Sequence, residues 1–452
     1  MAKDNSEVQR LLVQLPVEPW PESSPYSSEH PPKGWFYPTN ERILKSILNK
    51  RTRLVVELGS WEGASAVWIR ALAPNAGLIC IDHWEGLKGL HGIPDEASSR
   101  SSDPEEEDTL GKFQSNLWER RENIHLLKTT TLQGLEILER MGLGPYVDVV
   151  YVDAAHDEVS VTKDLEKTRQ VCFNAVICGD DYGNWPGVTK AVNAVKDRRF
   201  WADQNAYRLD KIRQRREKVI TSVHYNRAAY TKKSLEYLAK CDGIEDYLLL
   251  VFMEPLSEDV ASDDEVLRAI HDFDACEVEL FINPRVLGCN NNTLQALRRG
   301  FEITDYLILL EDDILFSRDA LKYCEFCDRR YKEEPEVLTV GLYNQRSVKV
   351  ERVNEIIRYE GFSSYGMATW KDRYEAWMQS LVLDPGKSWD VSWSLSAPGP
   401  LCHLIPHFSR AQNIGAHRGV HVPSPQWHAE NVEVKCWAGD FPELSVREFR
   451  EI

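Results

Sequence analysis

The sequence predicts an α/β protein built from two successive sheet-and-helix domains. Three observations predict it: a length of 452 residues, short apolar runs that alternate with helix-period segments, and an interruption of that pattern near residues 210–218. At roughly 100–200 residues per domain, the chain is long enough for two or three. Hydrophobic residues make up 42% of it, which supplies a core and excludes wholesale disorder. Strands alternating with helices imply a parallel sheet covered on both faces.

The elements follow in order. Residues 1–40 carry Pro16, Pro19, Pro21, Pro25, Pro31, Pro32 and Pro38, so they are expected to form an irregular arm packed through Trp20, Trp35 and Phe36. Glu41 to Asn49 reads as a helix with Ile43, Leu44, Ile47 and Leu48 on one face. Arg53–Leu58, Leu78–Asp82, Val147–Asp153 and Ala175–Gly179 read as buried strands, and Ala64–Ala73 as a helix. Glu85 to Leu110 breaks the alternation and has little to bury. It is expected to be a solvated insertion, or a lid over a ligand. These elements make a first domain over 41–210. The basic, polar stretch 211–218 is the expected linker, and 219–452 the second domain. Its expected strands are Val219–Val223, Tyr247–Phe252, Val278–Asn283, Tyr306–Leu310 and Val337–Leu342. Beyond Asp384 the periodicity is weak.

The formal net charge is -17, with most of the deficit after residue 216. That argues against a nucleic-acid or anionic-membrane partner, which selects a basic face. No run approaches the roughly 20 apolar residues of a membrane span, and MAKDNSEVQR has no apolar signal core. Ten cysteines scattered through a long chain do not make a disulfide scaffold. Cys324 and Cys327 form an isolated CxxC, read as two cysteines on a helix face rather than a zinc site. The expectation is a soluble, cytoplasmic protein, with an oligomer possible.

Two constellations carry chemistry. In the first, Glu57-Leu58-Gly59-Ser60-Trp61-Glu62-Gly63 follows a strand and opens a helix, and Asp82 ends the next strand. Glycines there allow a sharp turn and close approach of a ligand, and a carboxylate after the second strand can accept ribose hydroxyls. Asp153 ends a third strand, with His156 three residues on, and Asp180-Asp181 end a fourth. Carboxyl ends of neighbouring parallel strands line one crevice. Three carboxylates there call for a cation, Mg²⁺ or Mn²⁺ by their oxygen chemistry. Such a metal lowers the pKa of a substrate hydroxyl, and His156 is placed to take its proton.

This arrangement resembles the class I S-adenosylmethionine-dependent methyltransferases over roughly Glu41 to Lys196, with a Rossmann-like sheet. The D-x-x-H of Asp153–His156 and the Asp180-Asp181-Tyr182 run are similar to the metal-dependent branch acting on sugar hydroxyls. By that resemblance Glu57, Gly59, Ser60 and Gly63 lie along the methionine end of S-adenosylmethionine, and Asp82 holds its ribose. Asp153, Asp180 and Asp181 hold the metal.

The second constellation is Glu311-Asp312-Asp313, delivered by the apolar strand Tyr306–Leu310. Carboxylates so placed suit a divalent cation that neutralises a leaving diphosphate. With Val219–Arg227 and the helix after Gly288-Cys289-Asn290, the segment resembles a nucleotide-sugar glycosyltransferase of the A-type fold, also Rossmann-like. The likeness extends to the inverting, metal-dependent N-acetylglucosaminyltransferase I family, over roughly Lys218 to Pro425. It implies that Asn226, Arg227 and Asp312 bind the donor and that Asp313 binds Mn²⁺. Asp390, in Ser388-Trp389-Asp390, is the implied general base, and Gly361–Trp370 the implied acceptor-side loop. Among the C-terminal histidines His421 is favoured to contact the donor diphosphate or its metal.

Together these readings make a bifunctional enzyme that methylates a sugar hydroxyl and adds a sugar from a nucleotide donor to a glycan or glycoconjugate acceptor. Joining two modules on one chain raises the local concentration of one module's product near the other. The alternatives are an iron- and oxygen-dependent, hydroxylase-like relative of the first fold, and a non-catalytic glycan-binding scaffold.

Overall fold

The computed structural model describes residues 5–26, 36–85, 108–212, 215–255, 260–346, 350–378, 381, 384, 387–396, 402–417, 422–446 and 448–452. The chain divides into two compact units, Met1–Ile212 and Arg213–Ile452.

The first unit is built on seven strands: β1 (Leu54–Leu58), β2 (Gly77–Asp82), β3 (Ile124–Lys128), β4 (Val149–Val152), β5 (Val176–Gly179), β6 (Arg198–Asp203) and β7 (Ala206–Lys211). Their spatial order is β3-β2-β1-β4-β5-β7-β6. The first five pair in parallel, and β7 runs antiparallel to both β5 and β6. Strands β1 and β5 are apolar throughout or nearly so because helices cover both faces. Leu58, Ile81, Val152 and Ile177 are among the fully or nearly enclosed side chains of its core.

Several elements differ from the sequence expectation. The arm contains a helix, Asn5–Leu12, because its first proline comes only at position 16. Val8, Leu11, Leu12 and Leu15 have helical spacing and are buried in the core of this unit. Trp20 packs near Phe113 and Trp118, and Phe36 stacks on Trp68; Trp35 lies outside the described residues. The next helix starts at Pro38, three residues before the expected start, since proline is tolerated in the first turn. The expected insertion falls mostly outside the described residues, but Thr109–Asn116 is a helix capped by Asp108, which accepts from Gly111 N. Lys211, expected in the linker, completes β7.

One buried acid has a measurable consequence. Asp164, on the helix Glu158–Val171, is 3% exposed and accepts a hydrogen bond of 2.6 Å from Thr131 Oγ1. Burial raises its carboxyl to about 6. The unfolded chain ionises from about pH 4 upward while the folded chain stays protonated, so stability is lost as pH rises from there through about 6 and is level above. Asp164→Asn is expected to gain on the order of 2–3 kcal/mol at pH 7.5 and nothing at pH 3.5. Equal melting shifts at the two pH values would remove the electrostatic account.

The second unit centres on a nine-stranded sheet: β8 (Val219–His224), β9 (Leu248–Met253), β10 (Glu277–Ile282), β11 (Tyr306–Glu311), β13 (Val337–Gly341), β14 (Glu355–Tyr359), β15 (Met367–Trp370), β16 (Cys402–Pro406) and β18 (Arg450–Glu451). Their order is β10-β9-β8-β11-β15-β13-β16-β14-β18. β10, β9, β8 and β11 are parallel, and β15 turns the sheet antiparallel. A separate ribbon pairs β12 (Ile314–Phe316) with β17 (Ala411–Asn413). Cys324 and Cys327 are buried on the helix Ala320–Tyr331 as free thiols. Trp377, Trp389 and Trp393 are core residues gathered around Phe362. Both units are Rossmann-like α/β folds. Among the described residues no helix is long and apolar enough to cross a membrane.

Candidate functional site

In the first unit the parallel register brings Leu58, Ile81, Val152 and Gly179 side by side, so the segments after them share one sheet edge. The turn after β1 is held by that edge. Gly59 has φ +84, and a Cβ on it would lie 2.1 Å from the Asp153 carbonyl oxygen. Gly63, at φ +87, packs on Phe113, where a Cβ would lie 2.9 Å from the ring. Asp82 accepts from the backbone N–H groups of Ser60 and Trp61, both at 2.9 Å, and from Trp84 N at 2.6 Å. Two carboxylate oxygens offer about four acceptor positions, so Asp82 keeps capacity for a hydroxyl. Glu57 is fully buried and accepts from the hydroxyls of Ser60 and Ser65, which ties it to the turn. Burial pushes its carboxyl up and those two hydroxyls pull it down. The positive-φ turn and the remaining capacity of Asp82 fit a nucleoside with a small charged tail.

Asp153, His156 and Asp181 gather beyond β4 and β5, with one ligand atom from each lying within 4.8 Å of the others. His156 Nε2 stands 2.7 Å from Asp181 Oδ2, and its ring stacks on Trp185 at 4.6 Å. Burial, with Asp180 and Asp181 nearby, holds the Asp153 carboxyl well above the usual range. A set of two carboxylates and an imidazole fits a divalent cation.

Asp180 lies near Asp153 but outside the gathered set of three. Its carboxylate accepts from Asn40 Nδ2 and Asp181 N, each at 2.7 Å, and from Asn205 Nδ2. Burial raises it to about 6. The adjacent Asp181 has φ +66, which turns its side chain the other way, toward His156. Sequence reasoning missed Asn40 and Asn205. Pro38 as a helix start would have placed Asn40 in a first turn; Asn205, in the β6–β7 turn, carried no signal.

In the second unit β8, β9, β10 and β11 likewise end in register. Asn226 and Arg227 follow β8, and Glu311 ends β11. Arg227 spans the acidic triplet: Nε donates to Asp312 Oδ2 at 3.1 Å, Nη2 to Asp312 Oδ1, and Nη1 to Asp313 Oδ2 at 2.9 Å. Both aspartates are buried. Asp313, expected on Mn²⁺, is therefore an ion-pair partner of Arg227. Among the described residues no set of three metal-binding groups gathers here. His421 lies outside the described residues. The described histidine that feels Asp313 is His428, bonded to Asn413 Oδ1 at 2.9 Å.

Asp390 opens the helix Trp389–Leu395, and Ser364 Oγ donates to its Oδ2 at 3.1 Å. The side chain of Asn290 donates to Lys387 O at 3.0 Å and accepts from Trp389 N at 2.7 Å, clasping the segment before Asp390. Burial, with the charges of Asp313, Asp390 and Asp312, drives the Glu311 carboxyl well above its usual range. Burial and the same acidic group push Tyr365 up to about 12. Ile414 N donates to the Asp313 carbonyl at 2.9 Å, so the segment after β17 closes on the triplet.

Residues 56–182 match the family described as a methyltransferase domain. No curated protein matches the chain. Among solved structures, a mannosyltransferase from Pyrobaculum calidifontis in complex with GDP-Man and Mn²⁺ is 16% identical, with a TM-score of 0.31. The likeness covers 42% of this chain and 55% of that one. An O-methyltransferase from Bacillus cereus in complex with SAH is 15% identical over 46% of this chain and 92% of that chain, with a TM-score of 0.27. An rRNA methylase from Streptococcus thermophilus is 14% identical over 38% and 94%, with a TM-score of 0.26.

Proposed function

We propose that the first unit methylates a sugar hydroxyl and that the second transfers a glycosyl group from a nucleotide sugar to a glycan. The observation that carries the first part is the convergence of Asp153, His156 and Asp181 beside the Gly59 turn, within the matched methyltransferase domain. S-adenosylmethionine would supply the methyl group, and Mg²⁺ or Mn²⁺ would acidify the acceptor hydroxyl. The Gly59–Gly63 turn would lie along the methionine end and Asp82 would hold the ribose, with Glu57 fixing the turn. The Asp153 cluster orients the acceptor oxygen, and Trp185 walls it.

For the second part, support comes from Asp390 facing the triplet's field, fixed by Ser364 and by the Asn290 clasp. Asp390 takes the proton of the attacking hydroxyl. Arg227, at the strand edge where the donor would lie, is held there by Asp312 and Asp313.

The test uses the full chain, with S-adenosylmethionine and a panel of nucleotide sugars, scored by mass spectrometry. Asp181→Ala is expected to lower methyl transfer at least about 100-fold and to spare donor turnover. Asp390→Asn is expected to lower glycosyl transfer about 10²–10⁴-fold and to spare methylation. Methylation should persist without O₂. If no donor is consumed by the wild type, the glycosyltransferase half is lost; if S-adenosylmethionine is untouched across sugar acceptors, the sugar methylation half is.

A further inference from the structure

His156 has two roles open to it, and the geometry separates them. As a proton acceptor, His156 must offer a free nitrogen to a substrate hydroxyl. Nε2 is already engaged by Asp181 Oδ2 at 2.7 Å. Nδ1 is buried without a hydrogen-bond partner, on a ring stacked against Trp185, so a substrate cannot reach it. As a ligand the same ring is well placed. With the proton on Nδ1, Nε2 turns its lone pair toward the Asp181 carboxylate.

The spacing agrees. Atoms bound to one ion at about 2.0–2.2 Å stand at most about 4.4 Å apart. Donors adjacent on one ion stand closer, about 3 Å apart, and the three groups, already within 4.8 Å of one another, draw together onto it. Asp180 lies outside this set, its two oxygens engaged by Asn40, Asn205 and the Asp181 amide.

We infer that the cation of the first unit is held by Asp153, a ring nitrogen of His156 and Asp181, with Asp180 as a positioning residue, and that the site prefers Mn²⁺ or Co²⁺ to Mg²⁺ and Ca²⁺. This rests on the metal-assisted reading above. It departs from an all-carboxylate site with His156 as base. Imidazole favours first-row transition ions, whereas Mg²⁺ and Ca²⁺ favour oxygen alone.

The test is electron spin-echo modulation of Mn²⁺ added at less than one equivalent to the full chain, with no substrate present. Nitrogen-14 modulation is expected in the wild type and is expected to vanish in His156→Gln, with Mn²⁺ binding weakened at least about tenfold. Asp181→Ala should abolish the bound signal. Mg²⁺ is expected to displace Mn²⁺ only at about 100-fold excess or more. Bound Mn²⁺ with no nitrogen modulation, or modulation that survives His156→Gln, overturns the ligand assignment while leaving metal-assisted methylation standing. Displacement by equimolar Mg²⁺ overturns the preference. A wild type that binds no Mn²⁺ overturns the inference, and methyl transfer undiminished in EDTA then removes the metal-assisted reading with it.

Discussion

Gly59→Ala is expected to destabilise the first unit by about 2–5 kcal/mol and to abolish its binding of S-adenosylmethionine. The left-handed backbone costs an alanine about 1–2 kcal/mol. The added Cβ would lie 2.1 Å from the Asp153 carbonyl oxygen and 2.7 Å from the Ala154 Cα. Both are backbone, so no side chain can swing away, and overpacking adds about 1–3 kcal/mol. Gly142, at φ +70, has nothing within 4 Å and provides the control. Gly142→Ala should lose only the conformational part. Thermal melts and calorimetric titration with S-adenosylmethionine compare the two. Equal losses would mean that the contact with Asp153 does not hold the turn.

Arg227→Met is expected to cost the second unit about 3–5 kcal/mol, the usual penalty for leaving a buried charge without its partner. Here two carboxylates are abandoned together, and Asp313 is already raised by burial and lowered chiefly by Arg227. Arg227→Lys should recover little, because an ammonium cannot match the two parallel bonds to Asp312. Adding Asp312→Asn and Asp313→Asn to Arg227→Met should restore much of the melting temperature without restoring donor turnover. If Arg227→Met alone melts like the wild type, the guanidinium is not what neutralises the triplet.

The parallel halves of both sheets were legible because their strands are short apolar runs bounded by acids and glycines. Leu54–Leu58 and Tyr306–Glu311 lie within a residue of their expected bounds. Strand β3 was missed because His125 and Lys128 interrupt its apolar run. The β6–β7 hairpin was missed because RRFWAD and AYRLDK alternate charged and apolar groups. Strand β16 lies in the stretch rich in Trp, His and Pro, where no period shows. At the sites, residue types announced Asp153, Asp181 and Asp313, but neighbours in sequence do not share a direction in space. Asp180 and Asp181 face opposite partners because one of them adopts a left-handed φ. The pairing of Arg227 with Asp312 and Asp313 spans more than eighty residues, and no local pattern reports it.

The tryptophans behind Asp390 have an optical consequence. The rings of Trp377 and Trp393 lie 4.5 Å apart, inclined at 66°, with Trp389 5.2 Å from Trp393. Indole transitions so close and so inclined couple, and coupled transitions of fixed handedness give a signed pair of bands in circular dichroism. Because Trp389 adjoins Asp390 in the chain, that couplet is a spectroscopic gauge of whether the helix bearing the proposed base is seated, readable without any substrate.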